Sequence, residues 1–184
     1  MAIRDIRTYG DACLRGRAKH VAGFDEATAR LARDLAETMY ATRGVGLAAP
    51  QVGAAVRVFV SDTEWVRQEE GEPAKRDLKI FLNPEILWES AEDSPLKEGC
   101  LSVPGVEAEV YRADSIRLRW LDEEGRVREQ VFEGLAARCA QHEIDHLDGV
   151  LFVDRLPLGK RRGLAGKLNA LRQSPAGSAA ASAK

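Results

Sequence analysis

The sequence lacks the features of membrane-spanning, secreted and disulfide-stabilised proteins. No apolar run approaches the ~20 residues that a helix needs to cross a bilayer, and residues 1–5 do not show the basic and then apolar layout of a secretory signal. The three cysteines are an odd number, which argues against a disulfide framework. We therefore expect a soluble, cytoplasmic protein, and the lack of a transit peptide favours a bacterial cytoplasm over an organelle.

The sequence also contains no internal repeat and no linker-like stretch that would divide it. Its 184 residues suit one domain, since domains usually have ~100–200 residues. A hydrophobic content of 45% is enough for a buried core. We expect a single domain over residues 1–173, followed by a disordered, alanine- and serine-rich tail over residues 174–184.

The two signs of charge are unevenly distributed along the chain. Residues 158–184 hold six basic residues and no acidic one, whereas residues 1–157 hold 21 basic and 29 acidic residues, a net charge of −8. A basic segment of this kind suggests an acidic partner. A solvated C-terminus that only aids solubility explains the same pattern equally well.

Hydrophobic periodicity predicts three helices. The first covers about residues 25–42, with Asp25 as its N-cap. Its buried stripe recurs every four residues, at Leu31, Leu35 and Met39. A second helix is expected to begin after Gly134 and to end near Gly149, where glycine can serve as a C-cap. A third is expected over residues 158–173, although its two internal glycines weaken it by roughly 1 kcal/mol each.

Between the first two helices, short apolar runs predict antiparallel strands. They cover residues 56–60, 78–82, 115–120 and 127–132. The last two flank a polar turn and are expected to form a hairpin, and the polar segment 64–77 is typical of an exposed loop. Because strands and helices do not alternate, the fold class is expected to be α+β.

The sharpest motif is His-Glu-Ile-Asp-His at residues 142–146. On a helix, residues four apart lie about 40° from each other around the axis, so both imidazoles can reach one metal ion. Glu143 lies close enough to address a water on that metal without ligating it, and Ile144 faces the core. An isolated motif is as often structural as metal-binding, but Gln141 and Asp145 could here orient the imidazoles.

Two histidines leave a catalytic metal site one protein ligand short, since such sites usually take three. After residue 146 there is no histidine, cysteine or glutamate, which makes a zinc protease with a downstream ligand a poor fit. Cys100 lies upstream in a glycine-flanked loop and offers a thiolate suited to a transition metal. Cys139, one turn before the motif, is expected to line a pocket as a buried thiol.

Three motifs together resemble those of the peptide deformylases. They are GVGLAAPQ at residues 44–51, EGCLS at 98–102 and QHEIDHLDG at 141–149, intact and in the family's order. The resemblance implies an α+β fold in which antiparallel strands surround a central metal-binding helix. It also implies a metal-dependent hydrolase that removes the formyl group from the N-terminal formylmethionine of nascent polypeptides and releases formate.

The resemblance implies a role for each motif residue. The metal ligands are Cys100, His142 and His146. Glu143 acts as general base and then general acid, while the Gln51 side-chain amide and the Leu101 backbone N–H stabilise the oxyanion. Fe²⁺ is the metal that the family implies, with Ni²⁺, Co²⁺ or Zn²⁺ as substitutes, whereas the ligand set by itself suggests zinc.

The implied substrate contacts lie in the first two motifs and on the predicted helix just before His142. They are Val45, Gly46, Gly99, Leu135 and Cys139. The glycine segment pairs with the extended substrate backbone, because glycine permits close backbone approach. It lacks the lysine and hydroxyl residue of a phosphate loop, which argues against nucleotide binding.

Two charged residues near these motifs have open roles. Arg138 occupies a position where some family members carry an aliphatic side chain, so it lies either at the rim of the methionine pocket or in solvent. Glu98 could pair with Arg112, as the family suggests, and brace the Cys100 loop. An exposed ion pair of little energetic value is the alternative.

Two other function classes fit the motifs less well than deformylation. A peptidase with the same helical motif is disfavoured by the missing downstream ligand, and a degenerate homologue that only binds peptides is disfavoured because Cys100 and Glu143 are both present. The expected partners are N-formylmethionyl nascent peptides and, through the basic C-terminal segment, the ribosome. No membrane partner is expected, and the sequence carries no signal for the oligomeric state.

Overall fold

The computed structural model describes residues 2–65 and 76–173. Most of the predicted loop at 64–77 and the whole predicted tail at 174–184 lie outside the described residues. Within the described ranges the helices are α1 (Glu26–Ala41), α2 (Gly134–Leu147), α3 (Leu158–Gly163) and α4 (Ala165–Gln173). The strands are β1 (Gly46–Ala48), β2 (Val58–Ser61), β3 (Lys79–Glu89), β4 (Asp93–Gly99), β5 (Glu107–Ala113), β6 (Ser115–Leu121) and β7 (Val127–Glu133).

The described strands form two antiparallel sheets. One has five strands in the order β1-β2-β3-β6-β7, and the other is a two-stranded ribbon of β4 and β5. The hairpin of β6 and β7 pairs Ser115 with Glu133 and Leu121 with Val127. The α+β class is therefore confirmed, together with the order of a helix, antiparallel strands and further helices.

Helix α1 begins where the sequence predicts. The Asp25 carboxylate accepts a hydrogen bond of 2.8 Å from the Thr28 N–H, which satisfies one of the donors left free at a helix N-terminus. Leu35 and Met39 are fully buried against the five-stranded sheet, and Leu31 is partly buried beside them.

Strand prediction was incomplete. β3 is twice as long as the predicted 78–82, because Pro84 is accommodated at an irregularity between Leu82 and Glu85, where Asn83 has a positive φ of 50°. The ribbon of β4 and β5 was not predicted at all. β4 is polar and mostly exposed, so it has no apolar alternation that a sequence pattern could reveal.

The prediction of one helix over residues 158–173 was wrong. The chain turns at Leu164, between α3 and α4. After this turn, Leu168 of α4 packs into a core cluster that includes Tyr9. The contact is close, since a Cβ on Gly10 would lie 2.9 Å from the Cα of Arg172. Packing against Tyr9 and Gly10, in the N-terminal arm that precedes α1, therefore sets the direction of α4.

Helix α2 lies between the two sheets. One face packs on the five-stranded sheet through residues such as Ile144, as the sequence predicts, and the helix also contacts the ribbon strand β5. Consequently α2 faces both the end of β4 and the edge strand β1. Among the described helices, none is both long and apolar enough to span a membrane.

Candidate metal centre

Three potential metal ligands converge where β4 ends above α2. Cys100 directly follows β4, and His142 and His146 lie one turn apart on α2. Their ligand atoms all lie within 4.8 Å of one another, and the Cys100 Sγ is 3.2 Å from the His146 Nε2. A tetrahedral ion with bonds of roughly 2.0–2.3 Å holds its donors roughly 3–4 Å apart, so this donor set fits a transition metal.

Glu98 determines which nitrogen of His142 is left for a metal, whereas the Nδ1 of His146 is buried with no partner among the described residues. His142 Nδ1 lies 3.1 Å from the Glu98 Oε2, and an ionised carboxylate can only accept, so Nδ1 carries a hydrogen and Nε2 is the nitrogen left for a metal. Burial lowers the pKa of His146 well below its usual value, and the neighbouring His142 lowers it further. His146 can therefore present a neutral nitrogen to a metal. Burial opposes protonation of His142, but its hydrogen bonds with Cys100 and Glu98 raise its pKa well above the usual value, so a metal there would bind in place of a proton.

Glu98 is buried and ion-paired. Arg112 binds it through two nitrogens, with Nε 2.7 Å from Oε1 and Nη2 3.0 Å from Oε2. Burial opposes ionisation of Glu98, but hydrogen bonds from His142 and Arg112 and the charge of Arg112 hold its pKa well below the usual range. The pairing with Arg112 is present as the sequence suggested, and the exposed alternative is wrong.

Of the two places predicted for Arg138, the solvent-facing one is wrong. Arg138 lines the cleft beside the ligand residues, is only 6% exposed, and has its Nη1 2.6 Å from the Glu98 Oε1. The role predicted for two neighbouring side chains was also wrong. Gln141 and Asp145 do not orient the imidazoles. Gln141 donates to the Ala113 carbonyl at 2.8 Å, and Asp145 binds Arg112 and Arg155. Glu98, from another element, takes the place predicted for them at His142.

Glu143 lies against the edge strand β1. A Cβ on Gly46 would be 2.6 Å from the Glu143 Oε1, and the Oε2 atom is buried with no partner among the described residues. Burial raises the pKa of Glu143 to about 7. A carboxyl group with a pKa near the working pH is suited to accept a proton and return it.

Gln51 is oriented by its own backbone neighbourhood. Its Oε1 accepts a hydrogen bond of 2.8 Å from the Ala48 N–H, which turns the amide nitrogen towards the ligand loop. Nε2 then donates to the Ser102 Oγ at 3.2 Å and lies 3.7 Å from the Cys100 Sγ. In the turn after Cys100, the Leu101 N–H has no acceptor within the described ranges. The Gln51 amide nitrogen therefore lies beside the Cys100 sulfur, and the Leu101 N–H has no competing acceptor in those ranges.

A cleft of about 880 Å³ opens beside the centre. It is lined by every predicted substrate contact: Val45, Gly46, Gly99, Leu135 and Cys139. Ten of the eleven predicted site residues line it, and His146 lies beneath them, in contact with Cys100. The third cysteine, Cys13, does not line the cleft, and its Sγ donates to the Pro50 carbonyl at 3.6 Å.

Sequence reasoning missed the contribution of Arg138, which lines the cleft and pairs with Glu98. A signal was available, because Arg138 precedes His142 by four residues and so lies on the same face of α2. What the sequence could not show is that this face meets the strand carrying Glu98.

The site has the functional groups of a metal-dependent hydrolase: a cysteine sulfur, two imidazoles one helical turn apart and a buried carboxyl group beside them. The family model for polypeptide deformylase matches residues 3–162. The chain belongs to this family. Its members are metal-dependent hydrolases that remove the formyl group from the N-terminal formylmethionine of nascent polypeptides, and this chain catalyses that reaction.

Relatives of this family match nearly the whole chain. The peptide deformylase of Alkalilimnicola ehrlichii is 51% identical over 171 residues, which is 93% of this chain and 92% of that one. The peptide deformylase of Pseudothermotoga lettingae is 44% identical over 166 residues, 90% of each chain.

Solved structures agree with the fold. The peptide deformylase of Legionella pneumophila superposes with a TM-score of 0.81 at 41% identity, covering 95% of this chain and 100% of that one. The peptide deformylase of Plasmodium falciparum gives a TM-score of 0.82 at 35% identity, covering 91% of this chain and 94% of that one.

Proposed function

We propose that Cys100, His142 and His146 hold the catalytic metal of this deformylase. The observation that carries the proposal is the convergence of their three ligand atoms within 4.8 Å, with the His142 Nδ1 held away by Glu98. By family resemblance the metal is Fe²⁺, with Ni²⁺, Co²⁺ or Zn²⁺ as substitutes. A bound divalent ion lowers the pKa of a water ligand from ~15.7 towards ~7 and so supplies hydroxide at neutral pH.

Glu143 is the proposed proton carrier. Its Oε2 is buried with no partner among the described residues, and Glu143 lines the same cleft as Cys100 and His142, so Oε2 is free to accept a proton from the attacking water. The same oxygen then delivers the proton to the amine nitrogen of the peptide as its bond to the formyl carbon breaks, which releases formate. A carboxyl group whose pKa lies near 7 can perform both steps.

The oxyanion formed from the formyl oxygen needs donors that are already oriented. The proposed donors are the Gln51 Nε2 and the Leu101 N–H. The Ala48 hydrogen bond supports the first because it sets which end of the amide faces the centre, and the second has no competing acceptor within the described ranges. In related acyl-transfer sites one such donor stabilises the transition state by roughly 3–4 kcal/mol.

The methionine side chain is proposed to bind in the cleft beside α2. Leu135 and Cys139 supply apolar surface from one helix face, and Val45 and Gly46 line the cleft beside them, with the Val45 carbonyl oxygen 3.5 Å from the Cys139 Sγ. Gly99 also lines the cleft, in the strand that leads to Cys100. β1 is an edge strand of its sheet, so a peptide backbone can pair alongside it.

Replacing Glu143 tests the mechanism. We expect Glu143→Ala to keep its metal and to lose nearly all turnover of a formyl-Met peptide, because the proton carrier is gone. Cys100→Ala, by contrast, should lose the metal. The measurements are formate release and metal content of the same sample after anaerobic purification, and a fully active Glu143→Ala variant would refute the assignment. Loss of activity in air would indicate Fe²⁺.

We also propose that the basic C-terminal segment binds an acidic surface such as the ribosome. Within the described part of this segment, Lys160 pairs with Glu109 at 3.0 Å and Arg161 pairs with Asp154 at 2.8 Å. Arg162 and Lys167 have no ion-pair partner in residues 2–65 and 76–173, which makes them the main candidates for contact with phosphate.

Charge reversal tests this contact without removing α4 from the core. We expect Arg162→Glu combined with Lys167→Glu to weaken salt-sensitive co-sedimentation with ribosomes, while Arg30→Glu combined with Arg33→Glu on α1 leaves it intact. Equal binding by both double variants would contradict the proposal.

We further propose that the chain acts in a bacterial cytoplasm as a single domain over residues 1–173 with a C-terminal tail.

A further inference from the structure

The Glu98 carboxylate accepts more hydrogen bonds than a simple ion pair requires. Arg112 contributes two, of 2.7 and 3.0 Å. Arg138 contributes a third, from Nη1 to Oε1 at 2.6 Å, and His142 contributes a fourth, from Nδ1 to Oε2 at 3.1 Å. Oε1 is held by both guanidinium groups, and Oε2, which Arg112 alone also holds, receives His142.

Arg138 also connects three elements. It belongs to α2, and its Nη1 donates to the Val110 carbonyl of β5 at 3.2 Å. Its Nη2 donates to the Ser94 carbonyl of β4, the same strand that carries Glu98 and leads to Cys100. One side chain thus joins the helix that bears both histidines to both strands of the ribbon that ends at the cysteine.

A second connection lies on the other side of His142. The Arg112 Nη1 of β5 binds the Asp145 Oδ2 of α2 at 2.8 Å. Arg138 and Asp145 are seven residues apart, which is about two helical turns and roughly 10 Å along the axis. A single connection would let the ribbon pivot on the helix, whereas two connections that flank His142 hold the ribbon in one orientation.

We infer that Arg138 is a positioning residue of the metal centre: it fixes the Glu98 carboxylate on His142 and holds the Cys100 strand on the histidine helix. The inference rests on the proposed ligand set. Stability by itself does not account for this arginine, because a buried ion pair is often no more stabilising than apolar side chains of the same volume. Groups that orient metal ligands, by contrast, commonly change metal affinity by about 10- to 100-fold.

The test compares Arg138→Met with Arg57→Met. Methionine keeps an unbranched stem along the cleft and removes every donor. Arg57 is a matched control, because it is 7% exposed and likewise binds one carboxylate and two carbonyls, those of Asp148, Leu147 and Pro84. It touches neither Glu98 nor a proposed ligand. Arg138→Lys is the conservative variant, which keeps the charge but not the forked donors.

The measurements are the dissociation constant of Co²⁺ from chelator competition, the visible spectrum of the Co²⁺ form without oxygen, and thermal unfolding of the metal-free proteins. We expect Arg138→Met to bind Co²⁺ at least about 10-fold more weakly, with altered thiolate and ligand-field bands. Arg138→Lys should show an intermediate Co²⁺ affinity and spectrum, and Arg57→Met should match the wild type in both affinity and spectrum. In the loaded enzymes, kcat should fall in Arg138→Met with KM little changed.

The outcomes separate the inference from the proposed ligand set. If the wild type binds Co²⁺ without thiolate bands, the proposed ligands are wrong. If the wild type shows those bands and Arg138→Met has the same affinity and spectrum, Arg138 is only structural and the inference is wrong. Should Arg138→Met fail to fold, Arg138→Lys decides, since wild-type affinity and spectrum in that variant would overturn the inference.

Discussion

At the scale of single residues, Gly46 shows how one missing side chain shapes the site. A Cβ there would lie 2.6 Å from the Glu143 Oε1 and 2.7 Å from the Cys139 Sγ. The requirement is one of space, because φ at Gly46 is not in the positive region. The sequence suggested that this glycine lets a substrate backbone approach, and the structure adds that it admits the proposed proton carrier.

We expect Gly46→Ala to displace the Glu143 carboxylate, because a flexible carboxylate yields more readily than the strand. Misplacement of a catalytic group by about 1 Å can cost on the order of 100-fold in rate. The variant should therefore lose roughly that factor in kcat/KM for a formyl-Met peptide while retaining its metal. Gly159→Ala is the control, since a Cβ there meets nothing within 4 Å; equal activity of both variants would contradict this reading.

At the scale of elements, a buried carboxylate joins the N-terminal arm to α1. Asp34 is 2% exposed and accepts hydrogen bonds from the Ala2 N–H at 3.1 Å and from the Arg4 Nε at 2.9 Å. The Arg4 N–H also donates to the Thr38 Oγ1, one turn further along α1, at 2.9 Å. Burial favours the neutral acid, but the hydrogen bonds and the charge of Arg4 outweigh it and lower the pKa of Asp34.

This pKa shift predicts a pH dependence of stability. Because the folded pKa lies below the ordinary value of 3.8, the contribution of Asp34 is complete above about pH 3.8 and is lost as the pH falls through the folded value. We expect the difference in the free energy of unfolding between wild type and Asp34→Asn to shrink below that pH. Urea denaturation between about pH 2 and 6 measures it, and a difference that does not change with pH would exclude this linkage.

At the scale of the whole molecule, the proposed centre joins two elements that are far apart in sequence, the helix α2 and the ribbon of β4 and β5. α2 lies between the five-stranded sheet and the ribbon, and the proposed ligands come from α2 and from the end of the ribbon strand β4. An ion bound there connects the ribbon to the helix and stabilises only the assembled structure. Metal loading is therefore expected to be coupled to global stability.

We expect chelation to lower the unfolding temperature of the wild type. Metal at about 100 times its dissociation constant contributes about 2.7 kcal/mol, which in a protein of this size corresponds to roughly 5–10 °C. Differential scanning calorimetry with and without chelator measures the shift. Cys100→Ala is the control and should show little response, and an equal response from that variant would mean that the metal binds elsewhere.

Local pattern accounts for the parts of this protein that the sequence predicted well. α1 follows from a cap and an apolar stripe, and the hairpin of β6 and β7 follows from alternation around a turn. The spacing of His142 and His146 places two imidazoles on one face of a helix, because a helix repeats every 3.6 residues. These features need only neighbours within a few residues, which the sequence contains directly.

Only the tertiary structure decided which distant groups meet. Cys100 lies 46 residues from His146 in sequence, yet the two are in contact. Glu98 orients His142, while Asp145, its neighbour in the motif, binds arginines instead. The burial of Arg138 and the turn between α3 and α4 were likewise beyond sequence pattern. These features share a physical reason. The partner of a side chain 40 residues away depends on how strands and helices pack, and a polar strand such as β4 has no hydrophobic periodicity from which its packing could be predicted.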